Sequence, residues 1–110
     1  MPLFADAVRA TQAADAVVLV LGITADWERE EHFINSEGFS GGDRTSLDLP
    51  AVQERMLEQV TAAAGNKPVV LVLTSGSALS VNWANGHVPA IIEAWYPGQR
   101  GGDALAEVLA

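Results

Sequence analysis

Two apolar runs decide the fold of this chain: Ala16-Val17-Val18-Leu19-Val20-Leu21-Gly22 and Pro68-Val69-Val70-Leu71-Val72-Leu73. Each run is unbroken, rich in β-branched residues and short enough to be a strand. Neither alternates polar with apolar positions, which is typical of strands covered on both faces in a parallel sheet. We therefore predict that Ala16–Leu21 and Val69–Leu73 are adjacent parallel strands, both buried.

Helical patterns lie around these runs and supply the crossover that parallel strands need. A short amphipathic helix is predicted over residues 4–14. Pro50 suits the first position of a second helix, whose apolar stripe comprises Val52, Met56, Leu57 and Val60. Residues 90–95 are predicted to form a third strand and residues 103–110 a last helix. This order predicts an α/β fold built on a parallel sheet.

Composition excludes several classes of function. The formal net charge of −8 over 110 residues repels phosphate backbones, so no nucleic-acid partner is expected. The chain has no cysteine, which removes disulfides, thiolate nucleophiles and Cys-ligated zinc. No apolar run approaches the roughly 20 residues of a membrane span, and the N-terminus lacks the features of a secretory signal. The sequence favours one cytoplasmic domain over residues 1–110, with no membrane contact and no cofactor.

The most reactive-looking segment is Trp27-Glu28-Arg29-Glu30-Glu31-His32, in a long stretch without periodicity that follows the first strand. Loops of that length in compact domains are usually functional or disordered. Neighbouring acids raise one another's pKa and keep one carboxyl protonated near neutral pH, as glycoside hydrolysis requires. On residue types alone, a solvated charged loop is the favoured interpretation. A metal site from Glu28 and His32 is disfavoured because no second pair of ligands is present.

Other segments carry weaker signals. Gly38-Phe39-Ser40-Gly41-Gly42-Asp43-Arg44 permits close backbone approach, and its last two side chains suit hydrogen bonds to sugar hydroxyls or a structural turn equally well. The glycine-rich turn at 98–102 precedes a helix, which suggests a phosphate or nucleotide site, but it lacks the spacing of a phosphate loop. Trp83 and Trp95 suit core positions or stacking on sugar, and the core is the preferred interpretation for each.

Three long segments together resemble a known family: AADAVVLVLG, GGDRTSLDLPAVQERMLEQV and KPVVLVLTSGSALSVNWANGHVPAIIEAWYPGQRGGDALAEVL. They are similar to the second domain of glycoside hydrolase family 3 β-glucosidases and β-xylosidases. The resemblance implies a three-layer α/β sandwich with a mostly parallel sheet flanked by helices, present over residues 1–110 as a partial, truncated domain. It also implies a retaining exo-β-glycosidase that hydrolyses terminal β-linked glucose or xylose of an oligosaccharide or glycoside.

In this family the nucleophile is an Asp on a (β/α)₈ barrel domain, and the acid/base is a Glu on a loop of the α/β domain. That loop corresponds to residues 24–43. Its acidic E-x-E pattern matches Glu28-Arg29-Glu30, which favours Glu30 as the acid/base and Glu28 next. Glu37 resembles the S-G-E-G context of other members and is a third candidate. The stretch EREEHFINSEG departs from the expected E-G-E-E-M, so the choice among these glutamates stays open. Asp43 and Arg44 are the predicted substrate-binding residues.

The resemblance also predicts what the chain lacks. No segment resembles the barrel domain, so the isolated polypeptide is expected to be inactive or nearly so. It is also expected to stop before the strand with which such domains continue. The sheet edge and face left uncovered would make the chain marginally stable or oligomeric. The competing interpretation is a non-catalytic binding or interaction module, or an inactive fragment.

Overall fold

A computed structural model describes residues 2–24, 39–40, 43–44 and 46–110. Its elements, in chain order, are α1 (Pro2–Ala13), β1 (Val17–Gly22), β2 (Phe39–Ser40), β3 (Asp43–Arg44), α2 (Ala51–Ala64), β4 (Val69–Thr74), α3 (Asn82–His87), β5 (Ala90–Glu93) and α4 (Gly101–Leu109). Within these described stretches, no helix is long and apolar enough to cross a membrane.

Strands β1, β4 and β5 form one parallel sheet in the order β1-β4-β5. Val17 pairs with Val69, and the register continues to Gly22 and Thr74. Residues 70–73 pair with 90–93 on the other side of β4. The prediction that the two apolar runs are adjacent parallel strands is confirmed, because α2 crosses between them and returns the chain in the same direction.

Helices lie against both faces of this sheet. One face packs under α2 and α3, where Leu57, Leu71 and Ala84 belong to a single buried cluster. On β5, Ile91 packs against that cluster. The next residue, Ile92, faces a cavity that α4 also lines. Because successive strand residues point to opposite faces, α4 lies beside the second face at its β5 end and forms the third layer there. The predicted α/β sandwich with a parallel sheet is confirmed.

The prediction that β1 is buried on both faces is wrong. Val17 and Leu19 pack against the core, but Val18 and Val20 are 51% and 55% exposed. Strand β1 lies at the edge of the sheet, whereas β4 lies at its centre, and Val72 of β4 is 0% exposed. An apolar run shows that a strand tolerates burial, but it does not say which strand takes the central position.

Helix α1 is held at both ends. Near its start, Phe4 is 1% exposed, and the helix packs against α2. At its end, the ammonium group of Lys67 donates to the carbonyl oxygens of Thr11 and Gln12 at 3.0 and 2.7 Å. The last carbonyl groups of a helix have no partner within it, and a cation there also complements the helix dipole.

Candidate active site

The carboxyl ends of the three parallel strands meet at one edge of the sheet. Gly22, at the end of β1, lies level with Thr74, at the end of β4, and β5 ends nearby at Glu93. The pairing continues one residue beyond β1, because the N–H of Ile23 donates to the carbonyl oxygen of Thr74 at 3.0 Å. Open α/β sheets bind ligands beyond this edge. The segments that follow the strands therefore form the candidate site.

The residues predicted from sequence lie in or near the first of these segments. Glu28, Glu30 and Glu37 fall outside the described residues, so their role as acid/base candidates stays a prediction. Asp43 and Arg44 form β3, which pairs antiparallel with β2 as a short hairpin. Their predicted contact with substrate also stays a prediction.

The segment that carries the acidic cluster begins at a constrained point. Gly22 has φ +141°, a backbone conformation that favours glycine. A Cβ atom added to it would lie 2.0 Å from the carbonyl oxygen of Thr74. From α2, the side chain of Gln53 donates from Nε2 to the carbonyl oxygen of Gly22 at 2.8 Å. Its Oε1 accepts from the N–H of Gly22 at 2.9 Å. The end of β1 is thus held by α2 through Gln53 and by β4 through Thr74.

A carboxylate organises the segment after β5. Glu93 accepts a hydrogen bond from the buried hydroxyl of Ser75, which lies 3.3 Å from both carboxylate oxygens. Ser75 is 0% exposed. The same carboxylate accepts from the backbone N–H of Trp95 at 2.9 Å. Trp95 has φ +58°, and among the described residues it is the one non-glycine residue with positive φ.

The two described tryptophans differ in their surroundings. Trp83 packs against the core, and its ring stacks on that of His87 with centroids 4.2 Å apart. Trp95 is 53% exposed, and its neighbour Tyr96 is 40% exposed. The preferred core interpretation therefore holds for Trp83 and is wrong for Trp95. The predicted third strand over residues 90–95 ends at Glu93, so Trp95 lies beyond it, in a left-handed conformation.

A cavity of about 420 Å³ opens beside the start of α2. It is lined by Ser46, Asp48, Leu49, Pro50, Ala51, Glu54, Arg55, Ser80, Asn82 and Trp83. Partial burial raises the pKa of Glu54, and the negative charges of Glu58 and Asp48 raise it further. The cavity thus holds a carboxyl group that binds its proton more tightly than an exposed one would.

The surroundings of Arg100 do not favour a phosphate site. Arg100, in the turn suggested as a phosphate loop, donates from two nitrogens to the carboxylate of Asp103 at 3.0 and 3.1 Å. An acid beside the helix start opposes phosphate binding there. Across the described ranges, no group of three or more His, Asp or Glu side chains is placed to hold a metal ion.

Sequence patterns missed the residues that build this edge. The sequence placed the segment containing Ser75 after a strand, but it gave no reason to join that residue to Glu93. Gln53 and Glu54 are ordinary residues for an exposed helix face, and neither belongs to a motif. The positive φ of Trp95 has no signal in the sequence, because glycine or asparagine would be expected at such a position.

Comparison with known proteins decides the family. The profile of the glycosyl hydrolase family 3 C-terminal domain matches residues 2–110. The chain belongs to glycosyl hydrolase family 3. This family 3 chain is 47% identical over 93 residues to the xylan 1,4-β-xylosidase of Xylanibacter ruminicola, and the match covers 84% of the chain and 11% of that protein. It is 38% identical over 104 residues to a β-glucosidase of Bacteroides ovatus, and that match covers 94% of the chain and 12% of the relative.

Solved structures agree with the family 3 assignment. The β-glucosidase from Erythrobacter marinus is 38% identical, with a TM-score of 0.83, over 98% of this chain and 14% of that one. The family 3 β-glucosidase of Bifidobacterium adolescentis is 39% identical, with a TM-score of 0.79 and the same coverage. This family 3 chain therefore spans only 11 to 14% of the length of these four glycoside hydrolases.

Proposed function

We propose that this chain supplies the acid/base loop of a retaining exo-β-glycosidase that releases terminal β-linked glucose or xylose. Glu30 is the proposed acid/base, with Glu28 and Glu37 as the alternatives. Asp43 and Arg44, which end the same segment, are proposed to bind sugar hydroxyls. The partner is proposed to be a (β/α)₈ barrel domain that carries the nucleophile, and the substrate a β-linked oligosaccharide or glycoside.

One observation carries the proposal. In a chain that belongs to family 3, the acidic segment begins directly beyond the carboxyl end of β1, at the edge where open α/β sheets bind ligands. The Gln53–Gly22 hydrogen bonds fix the point from which the segment departs. The choice between glucose and xylose stays open, because the relatives include enzymes named β-glucosidase and β-xylosidase.

The proposed chemistry divides between the two domains. The barrel aspartate attacks the anomeric carbon while Glu30 gives its proton to the leaving oxygen. A covalent glycosyl-enzyme remains. Glu30, now a carboxylate, takes a proton from the water that cleaves this intermediate, and the configuration is retained. On this proposal, the 110-residue chain contributes the proton transfer and needs the barrel for the attack on the anomeric carbon.

A chimaeric enzyme tests the proposal. This chain would replace the matching segment of the Erythrobacter marinus β-glucosidase, where both structures guide the junctions. Glu30→Ala should reduce kcat/KM for alkyl or disaccharide substrates by roughly 10²–10⁴-fold. It should reduce kcat/KM for activated aryl glycosides far less, because a good leaving group does not need the proton in the first step. Glu58→Ala, which removes an exposed acid on α2, is the matched control.

The same series separates the alternatives. If the leaving-group dependence appears only at Glu28 or Glu37, the acid/base role passes to that residue. If it appears at none of the three while the chimaera remains active, the acidic segment is a solvated loop. The chain is then a non-catalytic module of its enzyme. Activity of the unmutated chimaera toward the aryl glycoside shows that the two parts have folded together.

A further inference from the structure

An exposed tryptophan is held at the ligand-binding edge of the sheet. Trp95 follows the carboxyl end of β5, and 53% of its surface is exposed. Large aromatic side chains usually bury their area, so an exposed indole beside a second exposed aromatic, Tyr96, needs an explanation.

The backbone at Trp95 is fixed in a costly conformation. Its φ of +58° is uncommon for a bulky residue. Such conformations persist only where the surroundings impose them, and they cluster at functional sites. Here the carboxylate of Glu93 imposes it by accepting the N–H of Trp95 at 2.9 Å. The hydroxyl of Ser75, which follows β4 and is 0% exposed, in turn donates to that carboxylate.

The location relates this tryptophan to the acidic segment. Strands β1 and β5 lie on either side of β4. Neighbouring strands are about 4.8 Å apart, so the ends of β1 and β5 lie about 10 Å from each other. The acidic segment follows β1, and Trp95 follows β5. A short oligosaccharide spans this distance, so a ligand at this edge can reach from the end of β1 to the indole.

The chemistry of the indole indicates which ligand it suits. β-Glucose and β-xylose rings carry equatorial hydroxyls and leave flat faces of C–H groups, which pack on the electron-rich face of an aromatic ring. We propose that Trp95 is a stacking platform for a β-linked sugar unit, and that Glu93, supported by Ser75, is the positioning residue that holds it. The choice of a β-linked sugar rests on the function proposed above.

Nuclear magnetic resonance on the 110-residue chain tests this directly. The chain has 3 tryptophans, so its ¹⁵N-labelled form gives one indole N–H signal from each, and Trp95→Phe identifies the relevant one. Titration with cellobiose and with xylobiose should shift the Trp95 indole signal saturably, in the millimolar range. The Trp83 signal should stay in place.

Variants separate positioning from folding. Glu93→Ala should weaken the response at least fivefold. Glu93→Gln should retain part of it, because the amide oxygen still accepts the N–H of Trp95. Glu107→Ala, on the exposed face of α4, is the matched control and should not change it. If Glu93→Ala loses its signal dispersion, Ser75→Ala becomes the informative variant and should also weaken the response.

Several results would overturn the inference: no saturable shift with either β-linked disaccharide, an equal shift at Trp83, or a full response in folded Glu93→Ala. A shift of Trp95 on addition of a separately produced barrel domain, without a response to sugar, would identify a domain contact instead. No catalytic step is involved, so this experiment and the glutamate series can fail independently of each other.

Discussion

Gln53 and Gly22 hydrogen-bond as two paired strand residues would, except that one partner is a side chain. The amide group of Gln53 accepts from the N–H and donates to the carbonyl of Gly22, and the two residues are 31 positions apart. Gln53, in the first turn of α2, therefore supplies hydrogen-bond partners to the backbone at the end of edge strand β1. The acidic segment begins just beyond this point. Without this side chain, both backbone groups would need another partner.

We expect Gln53→Ala to lower the free energy of unfolding by about 1–3 kcal/mol, since each net hydrogen bond contributes about 1 kcal/mol and the site is partly buried. Urea denaturation monitored by circular dichroism measures the change. Gln59→Ala, on an exposed position of the same helix, should change the free energy by less than about 0.5 kcal/mol. Equal effects of the two substitutions would show that the Gln53–Gly22 contact is unimportant for stability.

Two glycine substitutions should act in opposite directions. Gly22→Ala should destabilise the fold by about 2–4 kcal/mol, because its Cβ would overlap the carbonyl of Thr74 at 2.0 Å and its φ is +141°. Gly102→Ala, in α4, meets no atom within 4 Å and should stabilise by about 0.5–1 kcal/mol through helix propensity. Thermal melts of both variants test the pair. A Gly22→Ala variant with an unchanged melting temperature would contradict the close approach of Gly22 to Thr74 at the end of β1.

The ionisation of Glu54 should make the folded chain less stable as the pH rises. Partial burial and the charges of Glu58 and Asp48 raise its pKa, so the folded chain holds this proton more tightly than the unfolded chain. The ionised carboxylate therefore destabilises the fold above its folded pKa. That destabilisation is lost as the pH falls to the pKa that Glu54 has in the unfolded chain, about 4.3.

Glu54→Gln should accordingly raise the free energy of unfolding at pH 7, and the gain should vanish below about pH 4. Denaturation across pH 3.5–8 measures it, with Glu107→Gln as the control on an exposed position. A gain that persists unchanged at the lowest pH would assign the effect to something other than ionisation.

Azide should restore the second step in the chimaeric enzyme that carries the true acid/base substitution. A small anion attacks the glycosyl-enzyme without base assistance, so Glu30→Ala should regain turnover of aryl glycosides and form a β-glycosyl azide. Product analysis by nuclear magnetic resonance gives the configuration. If azide rescues Glu28→Ala or Glu37→Ala instead, that residue is the acid/base. If azide rescues none of the three variants, the acid/base does not lie in the acidic segment.

The isolated chain should associate through its exposed sheet surface. Val18 and Val20 are 51% and 55% exposed on an edge strand, and such surfaces pair with other chains. Light scattering during a thermal melt should show a broad transition and species larger than the monomer. Val20→Lys should reduce association, whereas Val52→Lys, at an exposed site on α2, should not. A sharply melting monomer at high temperature would contradict the prediction.

The sequence by itself determined the two apolar strands, their parallel pairing and the helix between them. An apolar run such as Val69–Leu73 needs cover on both faces, and a helix of crossover length between two such runs leaves a parallel arrangement as the simple solution. The helix that follows Pro50 was also predictable from local signals. Proline restricts φ at the helix start, and the apolar stripe repeats within a few turns. The family resemblance used the same segments and was confirmed by the match over residues 2–110.

Only the tertiary structure decided what stands at the edge of the sheet. The bond between Ser75 and Glu93 joins residues 18 positions apart, and it depends on the register between β4 and β5. Val18 is exposed because β1 is an edge strand of the sheet. Trp95 is exposed beyond the end of β5, where its own backbone is left-handed. Local patterns reach a few residues along the chain, whereas register, strand order and turn geometry follow from how all the elements pack together.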